Sequence, residues 1–222
     1  MNAVRTYGTS PYNILVVHGG PGAAGEMKPI AEKLAAEFGV LEPFQTQHSI
    51  KGQLDELHEQ IIQYAKTPVA LIGYSWGAWL CYLYAAAFPE EVRKLILISA
   101  GAFDESYTTN LMETRLGRLS PSDRVELATL KFKLQDANDD EKNSLLKQFG
   151  QLMSKADSFE TFPEEKDETL EVDWKINQLV WTEASLLRKS RALIQRGELI
   201  TCPIVAIHGT FDPHPIKALK SH

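Results

Sequence analysis

Four stretches of the chain are continuous aliphatic runs that stop at a glycine: NILVVHGG (13–20), PVALIGYS (68–75), KLILISAG (94–101) and PIVAIHGT (203–210). A strand wetted on one face alternates apolar and polar residues, whereas an unbroken run suits a strand covered on both faces of a parallel sheet. GVLEPF (39–44) is a weaker run of the same kind. Between these runs the apolar spacing changes to three and four. MKPIAEKLAAEF follows the first run, and GAWLCYLYAAAFPEEV follows the second. IKGQLDELHEQIIQYAK sets Leu54, Leu57, Ile61 and Tyr64 on one helical stripe. Alternating strand and helix predicts an α/β domain with a mostly parallel sheet, built from right-handed crossovers.

From about residue 104 to 198 the pattern is helical throughout. SPSDRVELATLKFKLQ begins with Ser120 as the predicted N-cap and Pro121 at the first helical position. DEKNSLLKQFGQLMSKA lines up Leu145, Leu146, Phe149, Leu152 and Met153. DWKINQLVWTEASLLRKSRALIQRG is predicted as one helix ending at Gly197. The expected organisation is a core of residues 1–103 and 199–222, interrupted by a helical layer over 104–198.

Candidate chemistry gathers at the ends of the predicted strands. LIGYSWGAWL fits G-x-S-x-G as Gly73, Tyr74, Ser75, Trp76 and Gly77, between a buried strand and an apolar helix. A serine on so tight a turn takes strained backbone angles, and glycines two residues either side let neighbouring chains approach. The following helix N-terminus favours negative charge nearby. HGGPG (18–22) follows the first strong strand. A serine that transfers acyl groups needs two N–H donors aimed at the developing oxyanion. The N–H groups of Gly20 and Trp76 are the candidates, with His18 supporting the turn. A serine in an ordinary strand–helix turn is the alternative.

Together these motifs resemble the α/β-hydrolase family, in its proline iminopeptidase-like branch, over most of the chain. The resemblance implies a serine hydrolase acting on a small ester or amide. It casts HGGPG as the oxyanion turn, GYSWG as the nucleophile elbow, 104–198 as a helical cap, and HGTFDP as the turn carrying the triad acid, Asp212. A turn aspartate capping a helix near Pro215 is the alternative for Asp212, and Asp104 is a second candidate acid. Many iminopeptidase-like hydrolases carry an Asp-x-Arg-Gly motif after the next strand. EPFQTQHSIKG stands here instead, which points to a generic ester, amide or small-acyl substrate.

The family's triad histidine follows the acid by a further helix, a strand and a loop, and ten residues follow Asp212 here. The expectation is a sheet truncated at its C-terminal end and a hydrolase impaired by the missing histidine. At 1.5 Å per residue, a helix over PIKALKSH carries His222 about 10 Å from the site. His214 shares the acid's turn and is a makeshift base. His208 is expected to pack or to brace the turn, and nothing ties His48 or His58 to Ser75. A non-catalytic relative that binds a small ligand or a partner chain is the competing reading. The last strand is expected to be an open sheet edge, inviting homodimers.

Composition narrows the remaining classes. A net charge of −6 argues against a nucleic-acid partner, which needs a basic face. No apolar run reaches a membrane span, and the N-terminal residues lack a signal-peptide pattern. Cys81 and Cys202 lie in apolar segments and are expected as buried reduced thiols in a cytoplasmic protein. No Cys/His cluster has metal-ligand spacing, and HGGPG matches neither common phosphate-binding loop, so neither metal nor cofactor is expected. Trp76 is a candidate pocket residue and Trp79 a packing residue. Trp174 and Trp181, seven apart, are predicted on one stripe that faces either the core or the substrate, with the core favoured. PEEKDETLEVD (163–173) reads as a solvated linker.

Overall fold

The computed structural model describes residues 4–160 and 172–219. Most of the acidic run and His222 therefore lie outside the described residues. A six-stranded sheet runs in the order β1 (Val4–Tyr7), β3 (Gly39–Pro43), β2 (Tyr12–Val17), β4 (Val69–Tyr74), β5 (Val92–Ile98) and β6 (Ile204–Ile207). Every pairing is parallel except β1 with β3. The short β1 was not expected from the aliphatic runs, because VRTY holds a single aliphatic residue, Val4, which is also its one buried position.

Helices cover both faces. α1 (Lys28–Leu34) brings Ala31 against Ile14, Val16, Val40, Ala70 and Ile72 on one face. α2 (Ile50–Tyr64) and α3 (Trp76–Ala87) lie on the other, packed on Leu15, Val17, Leu71, Leu95 and Leu97. α3 is apolar all round and buried from Trp76 to Ala86, the pattern of a central helix. Chain direction across the sheet reverses at β2 and β4, since β2 leads through α1 to one side and β4 through α3 to the other. A crevice at the C-terminal ends of two such strands is where open α/β sheets bind ligands. HGGPG and GYSWG are the two turns at that crevice.

The insertion between β5 and β6 contains α4 (Leu111–Arg118), α5 (Pro121–Asp136), α6 (Asp139–Asp157), α7 (Trp174–Lys189) and α8 (Ala192–Gln195). Ser120 caps α5 through a reciprocal capping box with Asp123, and Pro121 stands at its start. Leu119, Leu127, Leu130, Leu152 and Ala156 give α4–α6 a small core of their own. By contrast, α7 and α8 place Ile176, Val180, Ala184 and Leu193 in the main core.

Several local expectations are corrected. On α2 the buried stripe runs through Gln53, Leu57, Gln60 and Ile61, while Tyr64 is exposed. The two glutamines are buried because each is hydrogen-bonded: Gln53 accepts from the Trp76 indole at 3.0 Å, and Gln60 donates to the Phe44 carbonyl at 3.0 Å. The helix predicted up to Gly197 breaks at Arg191, which takes a left-handed conformation at φ +63°. No glycine marks that break, so the pattern could not reveal it. Cys81 is buried, but Cys202 is partly exposed on the flank of β6. Ile216–Leu219 forms a 3-10 turn.

Candidate active site

Ser75 joins β4 to α3 with φ 51° and ψ −111°, a conformation that costs a non-glycine residue about 1–3 kcal/mol. Its N–H donates to the Ile98 carbonyl at 2.9 Å, which ties the turn to β5. The flanking glycines are sterically required. A β-carbon on Gly73 would collide with the carbonyl of Gly77, and one on Gly77 with the carbonyls of Val17 and His18. That second contact brings the end of β2 against the start of α3, so HGGPG lies beside the serine. A β-carbon on Gly19 would fall 3.1 Å from the Ser75 β-carbon and 2.6 Å from Glu26 Oε1. Ser75 is partly exposed between these walls.

Gly20-Pro21-Gly22-Ala23 closes a β-turn, with Ala23 N–H donating to the Gly20 carbonyl at 2.9 Å. Proline second and a positive-φ glycine third (Gly22, +78°) suit a type II turn. Gly20 itself has φ +43°. The Gly19 N–H is occupied, donating to Glu26 Oε1 at 2.6 Å. Gly20 follows Gly19 in the chain, and Trp76 follows Ser75 as the first residue of α3. Glu26 was not singled out by the sequence; an acidic residue shortly after a glycine-rich turn was the available signal.

His18 is fully buried beneath the turn. Its Nδ1 lies 2.7 Å from the Gly19 carbonyl, and its Nε2 receives the Gln45 N–H at 3.4 Å. This pattern needs the neutral ring with the proton on Nδ1. Burial lowers the imidazole pKa to about 4, against the opposing pull of the Gly19 carbonyl. Tyr74, just before the serine, is pushed up to about 12 by burial and by the nearby negative charges of Glu26, Asp157 and Asp212.

Asp212 follows β6 on a turn closed by its own N–H to the Gly209 carbonyl. Its Oδ1 accepts from the His214 N–H at 2.8 Å and faces His214 Nδ1 at 3.2 Å. His208 Nδ1 stands 3.4 Å from Oδ2, without the alignment of a directed hydrogen bond. Burial alone would raise the Asp212 pKa. The His208 and His214 imidazoles, the His214 N–H and the Ser99 hydroxyl outweigh it and hold the carboxyl well below the usual range. Ser99, at φ +44°, joins the two halves: it follows β5, next to Ser75, and its N–H donates to the Ile207 carbonyl at 2.9 Å.

The other candidates disperse. Among the described residues no imidazole is hydrogen-bonded to Ser75. His48 is exposed. His58 stacks on Phe88 and meets Tyr84, near the far end of α3 from the serine. Asp104 caps a 3-10 turn at Glu105–Thr108 and pairs with Arg191 at 3.5 Å. The Trp76 indole is fully buried, with Trp181 packed edge-on against it and against Trp79. Trp174 departs from that stripe and lies beneath Lys142. No group of three metal-ligating side chains occurs among the described residues, and none of their helices is long and apolar enough to cross a membrane.

Solved structures similar to this chain share its fold. VinJ aligns with a TM-score of 0.66 at 15% identity, over 97% of this chain and 81% of its own. The thioesterase domain from the curacin biosynthetic pathway aligns at 0.53 and 18% identity, over 93% and 78%. A thermophilic esterase from Thermogutta terrifontis aligns at 0.51 and 15% identity, over 98% and 78%. No curated protein sequence matches the chain. The model of the alpha/beta hydrolase fold matches residues 51–214, from the start of α2 to the Asp212 turn, and the chain belongs to that family.

Proposed function

We propose that this hydrolase uses Ser75 as a nucleophile on a small ester or amide. The observation that carries this reading is the strained Ser75 turn, held beside HGGPG by glycines that admit no side chain. Ser75 Oγ attacks the substrate carbonyl and gives up its proton to an imidazole, for which His214 beside Asp212 is the makeshift base in place of the family's triad histidine. The N–H groups of Gly20 and Trp76 receive the oxyanion. Collapse expels the protonated alcohol or amine, and water then releases the acyl group from Ser75. Asp212, kept ionised by its neighbours, orients and stabilises the imidazolium. The HGGPG turn favours the iminopeptidase-like branch, while EPFQTQHSIKG favours a generic acyl substrate over a proline-specific one. Esterase and thioesterase neighbours fit that breadth. We place the site beneath a cap formed by residues 104–198.

A second reading, a non-catalytic binder of a small ligand or partner chain, is favoured by the lack of an imidazole bonded to Ser75 among the described residues. It also sets the expected scale of activity. Losing a triad member costs about 10⁶ in turnover in a serine protease, and the oxyanion hole and binding retain roughly 10³–10⁴ over water. Labelling with a fluorophosphonate at neutral pH, followed by mass spectrometry of the LIGYSWG peptide, separates the two. Stoichiometric adduct on Ser75, lost in Ser75→Ala, is the result expected of the hydrolase. No adduct on folded protein assigns the binder. Retained labelling in His214→Ala would place the base elsewhere than His214.

A further inference from the structure

The oxyanion turn is held from two sides, and one of them is the helical insertion. On the inner side, Glu26 takes the Gly19 N–H at 2.6 Å. On the outer side the start of α7 is laid against Pro21–Ala23. The Asn177 side-chain N–H donates to the Pro21 carbonyl at 2.9 Å, and the Asp173 N–H donates to the Gly22 carbonyl at 2.8 Å. Val172 forms an antiparallel bridge with Ala23. The approach is so close that a β-carbon on Gly22 would collide with the Asp173 carbonyl and stand 3.2 Å from Asn177 N.

The α7 end of this clamp is itself rigid. Asp173 caps the helix by accepting the Ile176 N–H at 2.9 Å, and Trp174 N–H is received by Asn143 of α6 at 2.8 Å. Ile176 and Val180 sink the same helix into the main core. Gly20 lies between the two holds on a left-handed backbone, with His18 Nδ1 against the Gly19 carbonyl of the peptide that carries its N–H, so the Pro21 side is where the turn depends on the insertion.

Resting on the hydrolase reading above, we propose that Asn177 is a positioning residue for the oxyanion hole: it fixes the Gly20 peptide through Pro21, so that the helical insertion builds the catalytic turn. Oxyanion donors work because they are aimed in advance, and removal of one whole donor costs about 10²–10³ in rate. Loosening a donor through a lost neutral hydrogen bond of about 1 kcal/mol is a smaller effect, about five- to tenfold.

The test uses Asn177→Asp, which keeps the size but cannot donate, and Asn177→Ala as a second variant. In the full chain, hydrogen exchange of a peptide over 18–27 is expected to rise in both variants, with the β4 peptide and the thermal midpoint unchanged. On p-nitrophenyl acetate, kcat is expected to fall about five- to tenfold with KM unmoved. Exchange over 18–27 that matches the wild type overturns the clamp, whatever the activity. So does a raised KM at constant kcat, which would mean that Asn177 touches substrate. A wild type that is neither labelled at Ser75 nor active on the ester overturns the hydrolase reading, and the exchange data still decide the clamp.

Discussion

β4 and β6 are written in nearly the same letters, VALIGY and IVAI, and meet opposite fates. Along β4 every residue up to Gly73 is buried, with β2 on one side, β5 on the other, and helices on both faces. Along β6 all four residues are exposed, with Ile204 at 45% and Ile207 at 51%, although β5 pairs with it in good register. Hydrophobicity made both into strands. Burial was decided by what lies alongside. The site straddles this contrast: β4 delivers Ser75 from fully packed surroundings, while β6 delivers Asp212 from an edge.

The comparison can be broken most severely at the packed end. Gly77→Ala drives a methyl group into the carbonyls of Val17 and His18. We expect a loss of about 3 kcal/mol in chemical denaturation, and loss of Ser75 labelling with it. Matched truncations sharpen the contrast. Leu71→Ala in β4 should cost about 2–5 kcal/mol, whereas Val205→Ala in β6 should stay within about 0.5–1 kcal/mol. Similar costs at the two positions would mean that β6 is covered in solution.

The packed side also carries a pH signature. Burial lowers the His18 pKa from 6.5 to about 4, so between those values the unfolded chain binds a proton that the folded chain refuses. This contribution is complete above pH 6.5 and is lost as pH falls towards 4, by about 3 kcal/mol in all. Denaturation midpoints across that window should slope accordingly, and His18→Gln should flatten the slope. Asp212 acts lower still: its held carboxylate stabilises the fold above the usual carboxylate range, and that contribution fades as pH drops below it.

The smallest effect is expected at the open edge itself. An exposed strand with no charged residue invites pairing with another chain. Sedimentation should show concentration-dependent self-association that Val205→Lys reduces. A strictly monomeric wild type at high concentration would remove the edge as an interface.

Much of this architecture was legible because it is encoded locally. Ser120-Pro121 started α5, and the four aliphatic runs became β2, β4, β5 and β6. The elbow was readable since Gly73 and Gly77 answer a steric demand within five residues. The α2 stripe was misread at Tyr64 because Gln53 and Gln60 find hydrogen-bond partners on other elements, Trp76 and Phe44. Glu26 was overlooked because an acidic residue after a glycine-rich turn does not by itself specify a bond back to Gly19.

By itself, the sequence determined the sheet class, the order of the parallel strands, and the turns that carry Ser75, Gly20 and Asp212. Those follow from periodicity, glycine sterics and capping, which act over a few residues. Only the tertiary structure decided that Ser99 links the serine's strand end to Asp212, and that Asn177 reaches Pro21 across more than 150 positions. Such contacts depend on which surfaces meet after folding, and a local pattern does not record its distant partner.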